Sequence, residues 1–491
     1  MMRLSTRNIL LCLSTACIAC YQTSVFALNW TIRPNLNVSQ IYSDNITLSN
    51  TNIESALVTE VSPGIIINGN SSRSTFDLAY NLQALYNARG SSAVDINNQL
   101  QMNSTYELIQ RNLFVDSSSS ISQQNNSNRQ IAADNISGNG NSSTISTFLL
   151  SPYWTPHFKN FADGEFRISY DRVSSSGGES ALSDTNSLSQ NIFLTSGRYF
   201  SLISWSFSFN NSTRSNQGSE NVNFQDSQLE VRYAIGRKFS LFARGGHSSN
   251  SFATNSNTSN NGLSYSFGGQ WQPSQRLRIE AGYGNNRFIT VEVTPFNRLH
   301  WTTTYSNNDI GLNTGSRWNT ELNYRTRRST WTIGYIEDTV TTQQLLLENN
   351  TVFSQNIRLP TLTDEVFITK TADLSFSFQT GKSNISANAY KIIRTFELSG
   401  NDEDVTGLSA SWNWNFIRRT SSNLNIGWQK TESDGLTNFS DKRFDFSASI
   451  TRQILSRLNG SIEYRYINQD SSDNLNSYSE NRITANLSLQ F

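Results

Sequence analysis

Apolar residues recur at every second position along almost the whole chain, and helical spacing is hard to find. Ile203, Trp205, Phe207 and Phe209, for example, fall on one face of an extended segment. Strict alternation of this kind is typical of a half-buried β-strand. About 22 such segments follow one another, each of about 8–12 residues, which is the length that a tilted strand needs to cross a bilayer.

The connections between these segments fall into two classes that alternate along the chain. Short ones lie at 196–198, 236–238, 272–275, 326–329, 380–383 and 417–421. Long polar ones lie at 117–143, 171–186, 210–224, 246–261, 341–365, 431–441 and 468–481. This sorting predicts an all-β fold: a transmembrane, antiparallel, up-and-down β-barrel of about 22 strands (about 20–24), with short periplasmic turns and long extracellular loops.

Two details of this barrel stay open at the level of sequence. Residues 284–298 hold two candidate turns, at 284–286 and 294–297, and they move the count between about 22 and 24 strands. The longest polar stretch, 117–143, has the composition of a mobile, solvated loop, although it has the length to fold into the lumen.

Charged residues of both signs lie on the face opposite the apolar one. In a barrel they would line a water-filled lumen and pair with one another, whereas in a soluble protein they would form a solvated sheet face. The predicted lumen charges are Glu165, Arg167, Glu230, Arg232, Arg276, Arg278, Glu280, Glu321, Arg325, Glu463 and Arg465. Because both signs occur, they predict neither anion nor cation selectivity.

The last ten residues alternate without a break and end on an aromatic side chain. The apolar face consists of Ile483, Ala485, Leu487, Leu489 and Phe491. A terminal Phe after such a strand resembles the C-terminal signal by which outer-membrane barrels are handed to their assembly machinery. Aromatic residues near predicted strand ends, among them Trp301, Trp331 and Trp412, suit the girdles of a membrane barrel.

The first 27 residues have the pattern of a secretory signal peptide. Arg3 and Arg7 precede a short apolar core, and Val25-Phe26-Ala27 offers small residues for cleavage after Ala27. The predicted division is therefore a signal peptide at 1–27 and a barrel at 28–491. An N-terminal membrane anchor and a lipid-attached Cys20 are the alternatives, but the apolar core is too short to span a bilayer and the residues before Cys20 fit a lipidation motif poorly.

Composition narrows the function classes. The chain of 491 residues has 38 Lys and Arg against 38 Asp and Glu, which argues against a nucleic-acid partner. All three cysteines lie in the first 20 residues, so the predicted mature chain has no disulfide and no thiol nucleophile. Three histidines and the lack of a nucleophile motif predict no catalytic, cofactor-binding or metal site, and hence no enzyme. The expected partners are outer-membrane lipids and the barrel-assembly machinery.

Several segments resemble an outer-membrane β-barrel family associated with PEP-CTERM/exosortase protein sorting. They are Tyr42 to Leu48, Val61 to Ile65, Leu150 to Trp154, and Leu322 to Trp331 continuing to Asp338. Tyr324 stands where the family usually has a His. The resemblance covers nearly all of the mature chain and implies a location in the bacterial outer membrane. It also implies a link to exopolysaccharide production and to its export proteins, and it implies no enzymatic activity.

Three functions remain at this stage. The first is a barrel that serves as a pore, conduit or scaffold linked to exopolysaccharide export. The second is a secreted or surface-attached adhesin-like β-protein, which suits the Asn, Ser and Thr content but leaves the terminal Phe unexplained. The third is a barrel enzyme, for which His157, His247 or His300 would have to be essential.

Overall fold

The alternating pattern folds into strands because each strand can turn its apolar set outward and its polar set inward. The computed structural model describes residues 29–88, 94–126, 131–132, 134–138, 141–177, 182–218, 220–254, 260–348, 360–434 and 438–491. The predicted signal peptide and its cleavage site at Ala27 lie outside the described residues.

The strands follow one another along the chain with one short helix among them. The first half contains β1 Asn29–Ser43, β2 Ala56–Asn70, β3 Ser74–Asn87, β4 Asp95–Ile109, β5 Leu113–Asn125, β6 Ser142–Trp154, β7 His157–Phe158, β8 Ala162–Ser176, β9 Thr185–Ser196, β10 Ile203–Asn216, β11 Val222–Ala234 and β12 Phe239–Ser251. The second half contains β13 Gly262–Ser274, β14 Leu277–Gly284, β15 Asn286–Phe296, β16 Leu299–Asn308, β17 Gly315–Arg325, β18 Ser329–Thr341, helix α1 Thr342–Glu348, β19 Val366–Gln379, β20 Ser383–Phe396, β21 Asp402–Ile417, β22 Thr420–Asp434, β23 Phe439–Leu455, β24 Leu458–Ser471 and β25 Tyr478–Gln490.

Within the described residues, 24 strands close into a single antiparallel barrel, and β7 is a two-residue addition to the hairpin before β8. Closure is made by β1, which pairs with β2 on one side and with β25 on the other, from Asn35 opposite Gln490 to Ser43 opposite Arg482. The count lies at the upper end of the predicted range because both candidate turns in 284–298 form, on either side of β15.

Connections are sorted between the two ends of the barrel, as the sequence predicts. Eleven short turns lie at one end, hereafter the turn end: 71–73, 110–112, 155–161, 197–202, 235–238, 275–276, 297–298, 326–328, 380–382, 418–419 and 456–457. The other connections, including all the long ones, lie at the opposite end, hereafter the loop end: 44–55, 88–94, 126–141, 177–184, 217–221, 252–261, 285, 309–314, 342–365, 397–401, 435–438 and 472–477.

The expected strand length of about 8–12 residues is too short. Barrel strands run from the 8 residues of β14 to the 17 of β23, and β5 continues through four serines as far as Asn125. Backbone N–H and C=O groups must find partners wherever two chain segments run side by side, whatever the side chains are. Polar stretches therefore extend the ladder toward the loop end although they carry no apolar signal.

The outer face is apolar and the inner face is polar. On β8, Ile168 is 55% exposed outside, whereas Asp171 and Val173 are buried inside. Exposed tryptophans gather on the outer face near the turn end, including the predicted Trp301, Trp331 and Trp412. A closed barrel with an apolar outer surface and an aromatic girdle faces lipid, because closure leaves no strand edge unpaired in the bilayer.

The packed core lies inside the loop end. Three apolar clusters occur there among the described residues, and each contains at least one residue from a connection: Leu346 and Leu362 in the first, Ile136 in the second, and Leu48 and Ala132 in the third. Connections that enter the lumen therefore supply the apolar surface that the inward face of the strands lacks.

Candidate functional site: two loops folded into the lumen

Two connections fill the lumen at the loop end. We call them the β5–β6 segment, residues 126–141, and the β18–β19 segment, residues 342–365. Among their described residues, Ile131, Ala132, Ser137, Gln343, Leu346 and Leu362 are buried. The expectation that 117–143 is a mobile, solvated loop is therefore wrong for the described part, because few but well-placed apolar residues find partners that composition does not reveal.

Ionic contacts hold the β5–β6 segment against the wall formed by β24 and β25. The carboxylate of Asp134 lies 3.0 Å from Arg465 Nη1 and also pairs with Arg482. Arg482 donates in turn to Glu480 on its own strand at 2.9 Å, and both of those side chains are at most 2% exposed. A buried charge pair is tolerated only when its remaining donors and acceptors are satisfied.

Neutral groups complete that attachment. Ser137 Oγ donates to Glu480 Oε1 at 2.5 Å and accepts from Arg482 Nη2 at 2.5 Å. The carbonyl of Ile131 accepts from Arg443 Nη1 and from the Tyr478 hydroxyl, each at 2.7 Å. These groups thus form one connected buried network, although Arg443 Nε and Asn126 Oδ1 have no partner among the described residues.

The charges around Asp134 shift its titration. Burial by itself would raise the pKa of Asp134, but Arg482 and Arg465 outweigh burial and hold the pKa below its ordinary value of 3.8. The carboxylate therefore stays ionised, and the attachment stays intact, across the whole neutral and mildly acidic range.

The β18–β19 segment reaches the opposite side of the lumen. Strands β6 and β18 lie nearly opposite each other in the barrel, with β8–β17 between them on one side and β19–β25 with β1–β5 on the other. Leu346 of α1 and Leu362 nevertheless pack against Ile145 of β6 and Val173 of β8. The connection that leaves β18 therefore crosses the lumen.

The polar contacts of this second segment include its own carboxylates, but no ion pair among the described residues joins it to the wall. Gln343 Nε2 donates to Asp364 Oδ1 at 3.0 Å, and Asp364 accepts from the backbone N–H of Ser183 at 3.0 Å. Arg214 of β10 reaches across to the hydroxyl of Thr341, the last residue of β18. Glu403 accepts from the Thr361 hydroxyl at 3.4 Å.

Several buried polar atoms at this contact lack a hydrogen-bond partner among the described residues. They are Thr342 Oγ1, Gln343 Oε1 and Arg214 Nε. Each unpaired buried group costs roughly 1–3 kcal/mol. The docked position of the β18–β19 segment is thus favoured by apolar burial and opposed by unsatisfied polar groups.

The two segments also meet each other. The backbone N–H of Leu362 donates to the carbonyl of Asn126 at 2.9 Å. Movement of either segment therefore breaks a bond to the other, and the two together form one plug, a term used below for this pair.

Between the plug and the turn end, several of the predicted lumen charges form ion pairs with one another or with nearby acids. Arg167 lies 3.0 Å from both Glu165 and Asp116, and Arg465 lies 3.1 Å from Glu463. Strands β11 and β14 bring Glu230, Arg232 and Glu280 together, with Arg232 2.8 Å from Glu230 and 3.0 Å from Glu280. The cations of this region are thus held by acids of their own strand or of another strand.

The remaining predicted charges are more scattered. Arg278 pairs with Glu292, and Glu321 accepts from Asn323 Nδ2 at 2.6 Å. Arg276 lies in the turn before β14, and Arg325 ends β17.

Sequence reasoning missed Arg244, which closes the second side of the charge group by lying 2.5 Å from Glu230 and 2.6 Å from Glu280. It also missed the buried pair of Arg394 with Glu403, and the roles of Glu480 and Arg482. The last two could have been found by parity, since Ile483 faces outward and its neighbour must face inward.

The terminal strand occupies the position that a closing strand requires. Ile483, Leu487 and Phe491 are exposed on the outer face, with Ala485 and Leu489 at alternate positions between them. The backbone N–H of Phe491 donates to the carbonyl of Pro34 on β1 at 3.0 Å. Recognition of this strand by assembly machinery stays a prediction.

Two searches of the described residues give negative results. Among them there is no group of three or more His, Cys, Asp and Glu side chains placed to hold a metal ion. No helix in the described ranges is long and apolar enough to cross a membrane.

Comparison with known proteins finds similarity in structure alone. No protein-family model matches the chain, and no curated relative matches it. Similar solved structures include the FrpB iron transporter from Neisseria meningitidis (F3-3 variant; 11% identity, 94% of this chain, 81% of that chain, TM-score 0.46). They also include the siderophore receptor PirA from Acinetobacter baumannii (8%, 94%, 80%, 0.47) and a loop L8 deletion mutant of OmpT, an outer membrane protein of Vibrio cholerae (10%, 94%, 99%, 0.30).

At such identities and TM-scores these likenesses decide nothing about function. The closed strand pairing, the apolar outer face, the aromatic girdle and the polar lumen carry the conclusion by themselves. The chain is an outer-membrane β-barrel.

Proposed function

We propose that this barrel is a gated conduit for a hydrophilic polymer, with exopolysaccharide as the polymer class and its export proteins as partners. The observation that carries the gating is the plug, which consists of two connections of the barrel itself that fold into the lumen at the loop end. A barrel of this size encloses space well beyond what its own inward side chains fill.

The lining suits a polar, uncharged or weakly charged cargo. Many cations on the described part of the lumen wall are paired with acids, as in the group of Glu230, Arg232, Arg244 and Glu280. Hydroxyl and amide side chains such as Ser386, Ser411 and Asn388 lie on the same face and offer the hydrogen bonds that sugars use. The family resemblance adds the link to exopolysaccharide and to PEP-CTERM/exosortase sorting.

Conductance in planar bilayers tests the gate. The purified chain should conduct poorly, and replacement of 343–364 by a short Gly/Ser linker should open a large, steady conductance. A linker replacing 473–476, in a loop-end connection outside both plug segments, is the matched control and should leave conductance unchanged. A deletion that stays closed, with heat-modifiable gel migration showing an intact barrel, would contradict a conduit and favour a scaffold.

Swelling of proteoliposomes by neutral dextrans of graded length tests the cargo class. The opened variant should admit chains too long for a narrow porin, while the purified chain with its plug should not. In the native cell, loss of the chain should reduce surface polysaccharide. Unchanged polysaccharide with intact conductance would keep the conduit and remove its link to exopolysaccharide.

A further inference from the structure

Charge is sharply segregated between the two ends of the barrel. Each of the eleven turns at the turn end contains at least one Lys or Arg, fourteen in all, and none contains Asp or Glu. The loop-end connections contain twelve acids and three bases. Since the whole chain has equal numbers of each sign, this distribution does not follow from composition.

Turn chemistry does not explain the segregation either. Asp is among the residues that tight turns favour, because its side chain bonds to the local backbone. Its absence from all eleven turns therefore runs against the local preference. The cations are also exposed, with Arg73 alone partly covered, and no ion pair among the described residues joins any of them to an acid.

Large apolar side chains accompany the cations. Exposed Tyr199, Phe296, Ile417 and Leu455 each lie within two residues of a turn arginine, and Phe158 and Phe161 flank Lys159. An apolar side chain that enters the acyl region beside a cation at headgroup level is the pattern of a membrane-interface anchor.

We propose that the turn end forms a basic collar that binds anionic phospholipid headgroups of the periplasmic leaflet and so fixes the depth of the barrel in the membrane. The collar surrounds the whole circumference, as lipid does, whereas a docked protein would cover one side. On the described lumen wall next to the turn end, Arg167, Arg232, Arg244 and Arg465 are each paired with an acid, so the collar's charge is not extended there as a cationic track for a polyanion.

Bromolipid quenching tests the collar. The full mature chain is folded into phosphatidylcholine vesicles containing either brominated phosphatidylglycerol or brominated phosphatidylcholine, and tryptophan quenching is compared. At low salt we expect phosphatidylglycerol to be enriched about fivefold beside the barrel, and the enrichment to fall toward one at high salt.

Two matched variants separate the collar from general charge. Replacing Arg327, Arg328, Arg418 and Arg419 by Gln should reduce the enrichment markedly. Replacing Arg172, Lys370, Lys391 and Lys442 by Gln removes the same charge from strand residues near the loop end and should reduce it less. Heat-modifiable migration checks that each variant is a folded barrel.

Three outcomes would overturn the proposal. The first is equal quenching by both lipids in the unmodified chain, and the second is an equal loss of phosphatidylglycerol enrichment in both variants. The third is binding of polygalacturonate, by the chain in neutral vesicles, through the same four arginines. That result would identify the collar as a binding site for an anionic polymer. None depends on whether the lumen conducts, so the proposed conduit and the collar can fail separately.

Discussion

The two halves of the plug are held by different physics. The β5–β6 segment is fixed through ion pairs of Asp134 with Arg465 and Arg482. The β18–β19 segment is fixed by burial of Leu346 and Leu362, and no ion pair among the described residues joins it to the wall. The comparison indicates a fixed half and a movable half, because undocking the first separates Asp134 from the buried Arg482, whereas undocking the second only exposes leucines to water.

The largest effect is expected in the fixed half. Arg482→Leu leaves the buried carboxylate of Glu480 without its cation and leaves Asp134 with Arg465 alone, which should destabilise the barrel by about 3–5 kcal/mol. The measurement is the urea midpoint of unfolding in lipid vesicles. Arg172→Leu, which breaks the half-exposed pair with Asp184, is the control and should cost about 1 kcal/mol or less. Equal losses of stability in the two variants would mean that the contacts of Arg482 do not stabilise the barrel more than an exposed ion pair does.

The next effect concerns docking of the movable half. Leu362→Ala removes a fully buried side chain, and a loss of about 2–5 kcal/mol is expected for such a cavity. Here the cost falls on plug docking, so open events in bilayer recordings should become frequent while the unfolding midpoint changes little. Leu475→Ala, at a side chain that is 70% exposed, should change neither. A lowered midpoint without openings would show that this segment opens only when the barrel unfolds.

A neighbouring pair of threonines gives a finer test. Thr342→Val replaces a buried hydroxyl that has no partner and should stabilise the docked plug by about 1 kcal/mol. Thr341→Val removes a hydroxyl that accepts from Arg214, and should weaken docking by about 1–3 kcal/mol. Both residues are fully buried, so the two changes differ in hydrogen bonding alone. Opening frequency should move in opposite directions, and movement in the same direction would disprove the assignment.

The smallest expected effect is a change in protease resistance of the β5–β6 segment at acidic pH. Because the pKa of Asp134 is lowered in the folded barrel, the stabilisation it gives is complete above 3.8 and is lost as the pH falls through the lower folded value. At pH 4 the β5–β6 segment should therefore resist pepsin better than in the Asp134→Asn variant. The difference between the two proteins should vanish at still lower pH. A difference that disappears above pH 4 would mean that the arginines do not hold this carboxylate.

Prediction from sequence succeeded where the residues adjacent in the chain are enough to decide whether a side chain faces the lipid or the lumen. Alternation in β8 or β11 is fixed by the two-residue period of a strand, so the inward charges Arg167 and Glu230 could be named from the pattern. The same reasoning could not find their partners Asp116 and Arg244, because strand register and barrel curvature choose which inward side chains meet.

The sequence by itself determined an all-β chain with two faces, a lipid-facing apolar set, a polar lumen and two unlike ends, since each follows from periodicity and connection length. Only the tertiary structure decided the closing of 24 strands, the extension of polar strands beyond the bilayer, and the inward folding of the β5–β6 and β18–β19 segments. These depend on contacts between residues hundreds of positions apart, such as Asp134 with Arg482, whose energy comes from burial inside a closed wall and leaves no local pattern.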